Sequence, residues 1–81
     1  MEKAFSGRGA VEKAKRMGFP VVMKINSCDI THKSDAKGVL LDLKNEREVF
    51  NAYEKIMHNA QSYNPKARLE GVTLQPMVQH T

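Results

Sequence analysis

The apolar positions of this chain switch between the period of a helix and the period of a strand, and the switches divide it into elements. Ala10, Val11, Ala14 and Met17 recur at helical spacing, with lysines and arginines on the outer face and Gly18 placed as a stop. From Pro20 to Asn26 the pattern alternates as in a strand: Val21, Met23 and Ile25 point one way, Val22, Lys24 and Asn26 the other. Pro20 suits a first strand position, where no N–H is required. A polar stretch follows and closes at Gly38, and Val39 to Leu43 predicts a second strand. "NEREVFNAYEKIMHNAQSYNP" predicts a long helix, capped by Asn45 with Glu48 as its capping-box partner. Val49, Phe50, Tyr53, Ile56, Met57 and Ala60 form its apolar stripe, and Asn64-Pro65 ends it. "GVTLQPMV", from Gly71, predicts a third strand interrupted by Pro76. Residues 1–9 show little pattern and are expected to form a flexible lead-in.

The predicted order is α-β-β-α-β. A short connection between the first two strands makes them antiparallel neighbours. A sheet with both helices on one face buries both amphipathic stripes, so the fold class is α+β. With 81 residues, the chain is one small domain with a thin core. Its 41% hydrophobic and 27% charged composition is that of a globular chain, not a disordered one. No apolar run approaches the length of a membrane span and no secretory signal shows, so the expected location is cytoplasmic and no membrane partner is expected. The single Cys28 cannot form an internal disulfide, which fits a reducing compartment. The ending "QHT", directly after a strand, suggests a piece of something larger.

A formal charge of +4 suits an anionic partner. The basic residues are spread along the chain, with no aromatic platform or clustered face, which argues against nucleic acid. The chemistry concentrates in "SCDITHKSD", residues 27–35. Lys24, just before it, could hold a phosphate as a compact point charge, or could simply snorkel at a sheet edge. Lys33 and Lys37 add charge, and Gly38 permits a turn whose N–H groups cradle an anion; the same residues also make ordinary solvated turns. His32, between Asp29 and Asp35, could act as a nucleophile toward phosphorus with a carboxylate fixing its tautomer. Cys28, His32 and Asp35 could instead ligate a metal, but their spacing matches no closed zinc pattern and a fourth ligand is missing, so no metal site is assigned. A surface histidine without a role also fits. His58 and His80 stand in no constellation, and Met17, Met23, Met57 and Met77 are read as core filling.

"GFPVVMKINSCDITHKSDAKGV" resembles the ATP-grasp domain of the ADP-forming acyl-CoA synthetases (acetate–CoA ligase, ADP-forming). That family carries a G-[FY]-P-V-V-[LM]-K run followed by H-K-S-D-x-G-G-V. The likeness continues through "NEREVFNAYEKIM" and "NPKARLEGVTLQPMV". It implies the first, antiparallel subdomain of an ATP-grasp fold, with residues 10–81 forming a partial ATP-grasp domain. Lys24 matches the lysine that contacts nucleotide phosphates. Ser27 to Gly38, including Lys33, Ser34 and Lys37, matches the mobile loop over the phosphates. His32 matches the histidine that is transiently phosphorylated. Gln75, Pro76, Met77 and Val78 match the segment whose backbone meets the adenine ring.

The resemblance further implies that the parent reversibly makes acyl-CoA from acid, CoA and ATP, with ATP/ADP as nucleotide. Mg2+ is expected to be held by acidic residues outside this chain. The expected partners are the nucleotide and the CoA-binding and ligase domains or subunits of the parent. Alone, the piece is expected to fold marginally and to turn nothing over. Two positions depart from the family pattern. Lys37 replaces a glycine, which could block phosphate approach or add a cationic contact, and Cys28 stands where proline is usual. Related chains join synthetase-like domains to a protein lysine acetyltransferase. A non-catalytic, ligand-sensing module of that kind is the alternative function.

Overall fold

The computed structural model describes residues 2–78. Six elements follow one another: β1 (Glu2–Ala4), α1 (Gly7–Met17), β2 (Val21–Ile25), β3 (Val39–Leu43), α2 (Glu46–Tyr63) and β4 (Val72–Pro76). The strands form one antiparallel sheet in the order β1-β4-β2-β3. The helices pack on each other and on the sheet, α1 against β1 and β4 and α2 against β2 and β3, so one sheet face is covered. The α+β expectation and the helical layer agree with this architecture.

Local chemistry sets the helix ends. The Asn45 side chain accepts the Glu48 N–H at 2.9 Å, and the Glu48 carboxylate reaches back to the Lys44 N–H at 2.9 Å, one residue earlier than a standard capping box. Gly18, with φ 89°, closes α1 by donating its N–H to the Ala14 carbonyl. The Ser6 hydroxyl accepts the Gly9 N–H at 2.9 Å, so α1 begins at Gly7, three residues before the apolar pattern starts.

The patternless lead-in expected over residues 1–9 is corrected here. Residues 2–4 pair with β4, and Gly7 to Gly9 are helical. Three residues are too few to show alternation, and their pairing depends on Gly71. That glycine has φ 76°, and a Cβ there would strike the Ala4 carbonyl.

Met23, Ile25, Ile56, Leu74, Val21, Val49 and Val72 fill the space between sheet and helices. Each large side chain removed from water there contributes about 1.5–3 kcal/mol. The α2 stripe needs one revision. Ala52 is buried, whereas Phe50 is 43% exposed and lies over Gly7, where a Cβ would sit 2.9 Å from its ring. β4 is central because Val72 and Leu74 are both fully buried; the polar β1 takes one edge. Pro76 is tolerated because it lies past the reach of β1, which pairs only with Val72 to Leu74. On the other edge, β3 carries a bulge at Asp42, with φ 58°, which disrupts the edge ladder. Among the described residues, no helix is long and apolar enough to cross a membrane.

Candidate functional site

The uncovered face of the sheet is set by the strand period. Thr73, Lys24 and Val39 lie side by side across β4, β2 and β3, on the face opposite Met23. Lys24 is half-buried there, with its neighbours on β2, Met23 and Ile25, sealed in the core. The next segment, residues 26–38, returns over the same end of the sheet.

That segment is tied down at both feet. At its start the Ser27 hydroxyl, buried, accepts the Asp29 N–H at 3.2 Å, so Ser27 shapes a turn. Asn26 exchanges backbone and side-chain bonds with Glu70. The Asp29 carboxylate accepts the Arg68 N–H at 2.8 Å. Asp29 therefore holds the loop to the 64–70 segment, not the His32 ring. Ile30 then inserts into the core at 2% exposure, a residue the periodicity could not assign because it is isolated in a polar run.

At the far foot Ala36 is buried, and the Gly38 carbonyl accepts the Ile25 N–H at 2.7 Å. A Cβ at Gly38 would lie 2.6 Å from Ile25 Cγ2, so glycine is required for close approach to β2. The loop that the resemblance takes as mobile is hydrogen-bonded at both feet, with Thr31 to Asp35 exposed between them apart from half-buried Lys33.

Between the loop and the sheet lies an open cleft of about 480 Å³ lined by Lys24, Thr31, His32, Lys33, Ser34, Asp35 and Val39. It brings together Lys24, His32, Lys33 and Ser34 of the sequence-derived set. The His32 side chain is exposed, and Asp35 is the carboxylate that shares the cleft with it. The cations have only one acidic neighbour in the lining, which favours an anionic occupant. An imidazole, two ammonium groups and two hydroxyls together can bind a phosphoryl group, neutralise it and accept it on nitrogen.

The structure does not bring the remaining residues into this cleft. Ser27 and Gly38 are buried parts of the loop's framework. Lys37 lines two hollows on the α2 side, one with Lys55 and Asn59, the other with His58 and Tyr63. Its φ of 55° explains the family's glycine better than phosphate approach does: the position is left-handed, which an L side chain adopts at a steric penalty. Gln75 faces Val22 and Pro76 faces Val21, so they lie about 7 Å and about 10 Å along β2 from Lys24 at the strand's rise of ~3.3 Å per residue. The Met77 N–H already donates to the Pro20 carbonyl at 3.0 Å. Val78 is exposed at the last described position, and His80 lies outside the described residues.

Sequence reasoning missed Asn59, whose amide holds the Lys37 carbonyl. In the sequence it is only a polar residue between His58 and Ala60 on the predicted long helix, which signals nothing. Among the described residues, no group of three or more His, Cys, Asp or Glu side chains is placed to hold a metal ion.

The family model of the ATP-grasp domain matches residues 2–81. The chain is 52% identical over 69 residues to an ADP-forming 4-hydroxybutyrate–CoA ligase of Nitrosopumilus maritimus, covering 85% of this chain and 10% of the ligase. It is 48% identical over 69 residues to the beta subunit of ADP-forming acetate–CoA ligase I of Pyrococcus furiosus, covering 85% of this chain and 30% of the subunit. Among solved structures it resembles the acetyl-coenzyme A synthetase 1 of Ca. Korarchaeum cryptofilum in complex with coenzyme A, Ca-AMPCP and HgCl+. There the TM-score is 0.95 at 39% identity over 98% of this chain and 34% of that one. The chain thus spans between a tenth and a third of the length of these relatives. With the antiparallel sheet, the lysine strand and the fastened loop in place, the chain belongs to the ATP-grasp domain family.

Proposed function

We propose that this chain is the phosphate-handling part of an ADP-forming acyl-CoA synthetase, an acid–CoA ligase whose reaction couples acyl-CoA, phosphate and ADP to acid, CoA and ATP. The observation that carries the reading is the shared cleft of Lys24 and His32, brought together from β2 and the loop after it. The names of the similar ligases and of the synthetase solved with coenzyme A and Ca-AMPCP support it.

In this reading the unprotonated nitrogen of His32 attacks the phosphorus of an acyl phosphate formed elsewhere in the enzyme. A nitrogen–phosphorus bond forms, the bond from phosphorus to the acyl oxygen breaks, and the acid leaves as carboxylate. An oxygen of the ADP β-phosphate then attacks the same phosphorus, and the imidazole departs. Lys24 and Lys33 neutralise the phosphoryl oxygens throughout. Gln75 to Val78 border the adenine end of the nucleotide, beginning about 7 Å along β2 from Lys24. The Met77 N–H is already engaged, so only its carbonyl and the residues beside it are free to meet the base. Mg2+, when bound, would supply further charge neutralisation, and its acidic ligands would come from elsewhere in the parent enzyme. CoA-binding and ligase domains or subunits complete the cytoplasmic enzyme.

The test is a labelling experiment on the full-length ligase. Incubation with [γ-32P]ATP is expected to give an acid-labile, base-stable label on His32 that His32→Asn abolishes. Lys24→Met is expected to slow labelling by about 10²–10³-fold, the usual loss for removing one preorganised charge contact. An active enzyme with no label on His32 would reject the carrier role.

A further inference from the structure

We propose that Asn59 is a positioning residue for the loop that carries His32, acting through the Lys37 carbonyl. The inference rests on the carrier reading above. Residues 33–38 form a turn closed by a nested pair of bonds. The Gly38 N–H donates to the Lys33 carbonyl at 2.8 Å, and the Lys37 N–H to the Ser34 carbonyl at 3.0 Å. This is the helix-ending motif in which the next-to-last residue is left-handed, and Lys37 adopts that conformation with φ 55°. Glycine enters it freely; lysine does not. The turn's backbone bonds therefore work against a steric cost at Lys37, and a contact from outside the turn adds to them.

Asn59 supplies that contact. Its side-chain N–H donates to the Lys37 carbonyl at 3.0 Å, across 22 positions of sequence. Asn59 stands on α2 between Ile56 and Ala60, both fully buried, so the donor is fixed to the core. The effect reaches His32 because the turn is bonded to it: the His32 carbonyl accepts the Ala36 N–H at 3.3 Å, and Ala36 is itself buried. A turn released from Asn59 can shift His32 against Lys24, which is fixed on β2. Asn59 touches no reacting atom in this scheme. It sets where the imidazole stands.

The experiment measures single-turnover transfer from [γ-32P]ATP to His32 in the full-length ligase. Asn59→Asp keeps the shape of the side chain and removes the donor. It is expected to slow transfer about tenfold or more, the scale of an ångström-sized misplacement. Nucleotide KM should stay within about twofold, because the binding groups are intact. Asn59→Gln restores a donor and should regain most of the rate, and Ser62→Ala, in the neighbouring hollow, should match the wild type. If Asn59→Asp does not fold, Asn59→Ala is read by the same criteria.

Wild-type transfer with an unimpaired Asn59→Asp overturns this inference alone. So does a rate loss that Asn59→Gln shares in proportion to its loss of thermal stability. No label on wild-type His32 defeats the carrier reading, and this inference with it.

Discussion

Replacing Gly38 by alanine tests the packing that seats the loop on the sheet. The added methyl would sit 2.6 Å from Ile25 Cγ2, 3.1 Å from Ile25 Cβ and 3.3 Å from the Lys33 carbonyl oxygen. Carbon atoms pack best at about 3.5–4.0 Å, so something must move by about 1 Å. Ile25 is fully buried, and Gly38 is fixed by backbone bonds to Ile25 and Lys33, so neither side yields freely. Overpacking of this kind costs about 1–3 kcal/mol. At the midpoint of that range, the melting temperature should fall by about 8–16 °C for a domain of this size.

The cause can be isolated with a double-mutant cycle. Ile25→Ala alone should cost about 2–5 kcal/mol by leaving a cavity. In the double variant the methyl added at position 38 enters space that Cγ2 has vacated, so the combined loss should fall short of the sum by at least about 1 kcal/mol. Equilibrium urea unfolding at a fixed trimethylamine N-oxide concentration, which keeps the weakest variant folded, reads all four proteins. Losses that add to within about 0.5 kcal/mol would show that the two side chains do not compete for the same space, and would refute the argument.

Lys37→Gly should stabilise the chain by up to about 1.5 kcal/mol. It removes a left-handed penalty of about 1–2 kcal/mol and adds about 0.5–1 kcal/mol of glycine backbone entropy, and calorimetry should show a modest rise in melting temperature. The Lys13 ammonium, donating to Glu2 at 3.1 Å, and its charge hold the Glu2 carboxyl below the usual carboxylate range. Because the folded value is the lower one, this contribution to stability is present above the ordinary glutamate range and fades as pH falls through the folded value; Lys13→Ala should return Glu2 to its ordinary titration in an NMR pH series.

The labelling and positioning experiments are linked by the same geometry. The cleft depends on Lys24 being fixed by β2 and on the loop being fixed by contacts from two other parts of the chain. Those contacts are the Arg68 N–H on Asp29 and the Asn59 amide on the Lys37 carbonyl. The distance between imidazole and ammonium in this structure thus depends on contacts from far along the chain as well as on the loop itself.

By itself the sequence determined whatever depends on neighbours a few residues away. Asn45 and Glu48 announce the start of α2, Gly18 the end of α1, and the alternation of Val21 to Ile25 puts Lys24 on the face opposite the core; these follow from bonds and periods spanning three or four positions. It also carried the H-K-S-D segment that pointed to phosphate chemistry. The tertiary structure decided what depends on partners far along the chain. It made Glu2 to Ala4 a strand, because Gly71 lets β4 approach them. It exposed Phe50 and buried Ala52, sent Ile30 into the core, turned Lys37 toward α2, and gave Asp29 to Arg68 and Asn59 to Lys37. The physical reason is that a hydrogen bond across 39 or 22 positions leaves no periodic trace in either partner. Only folding brings the two groups within reach.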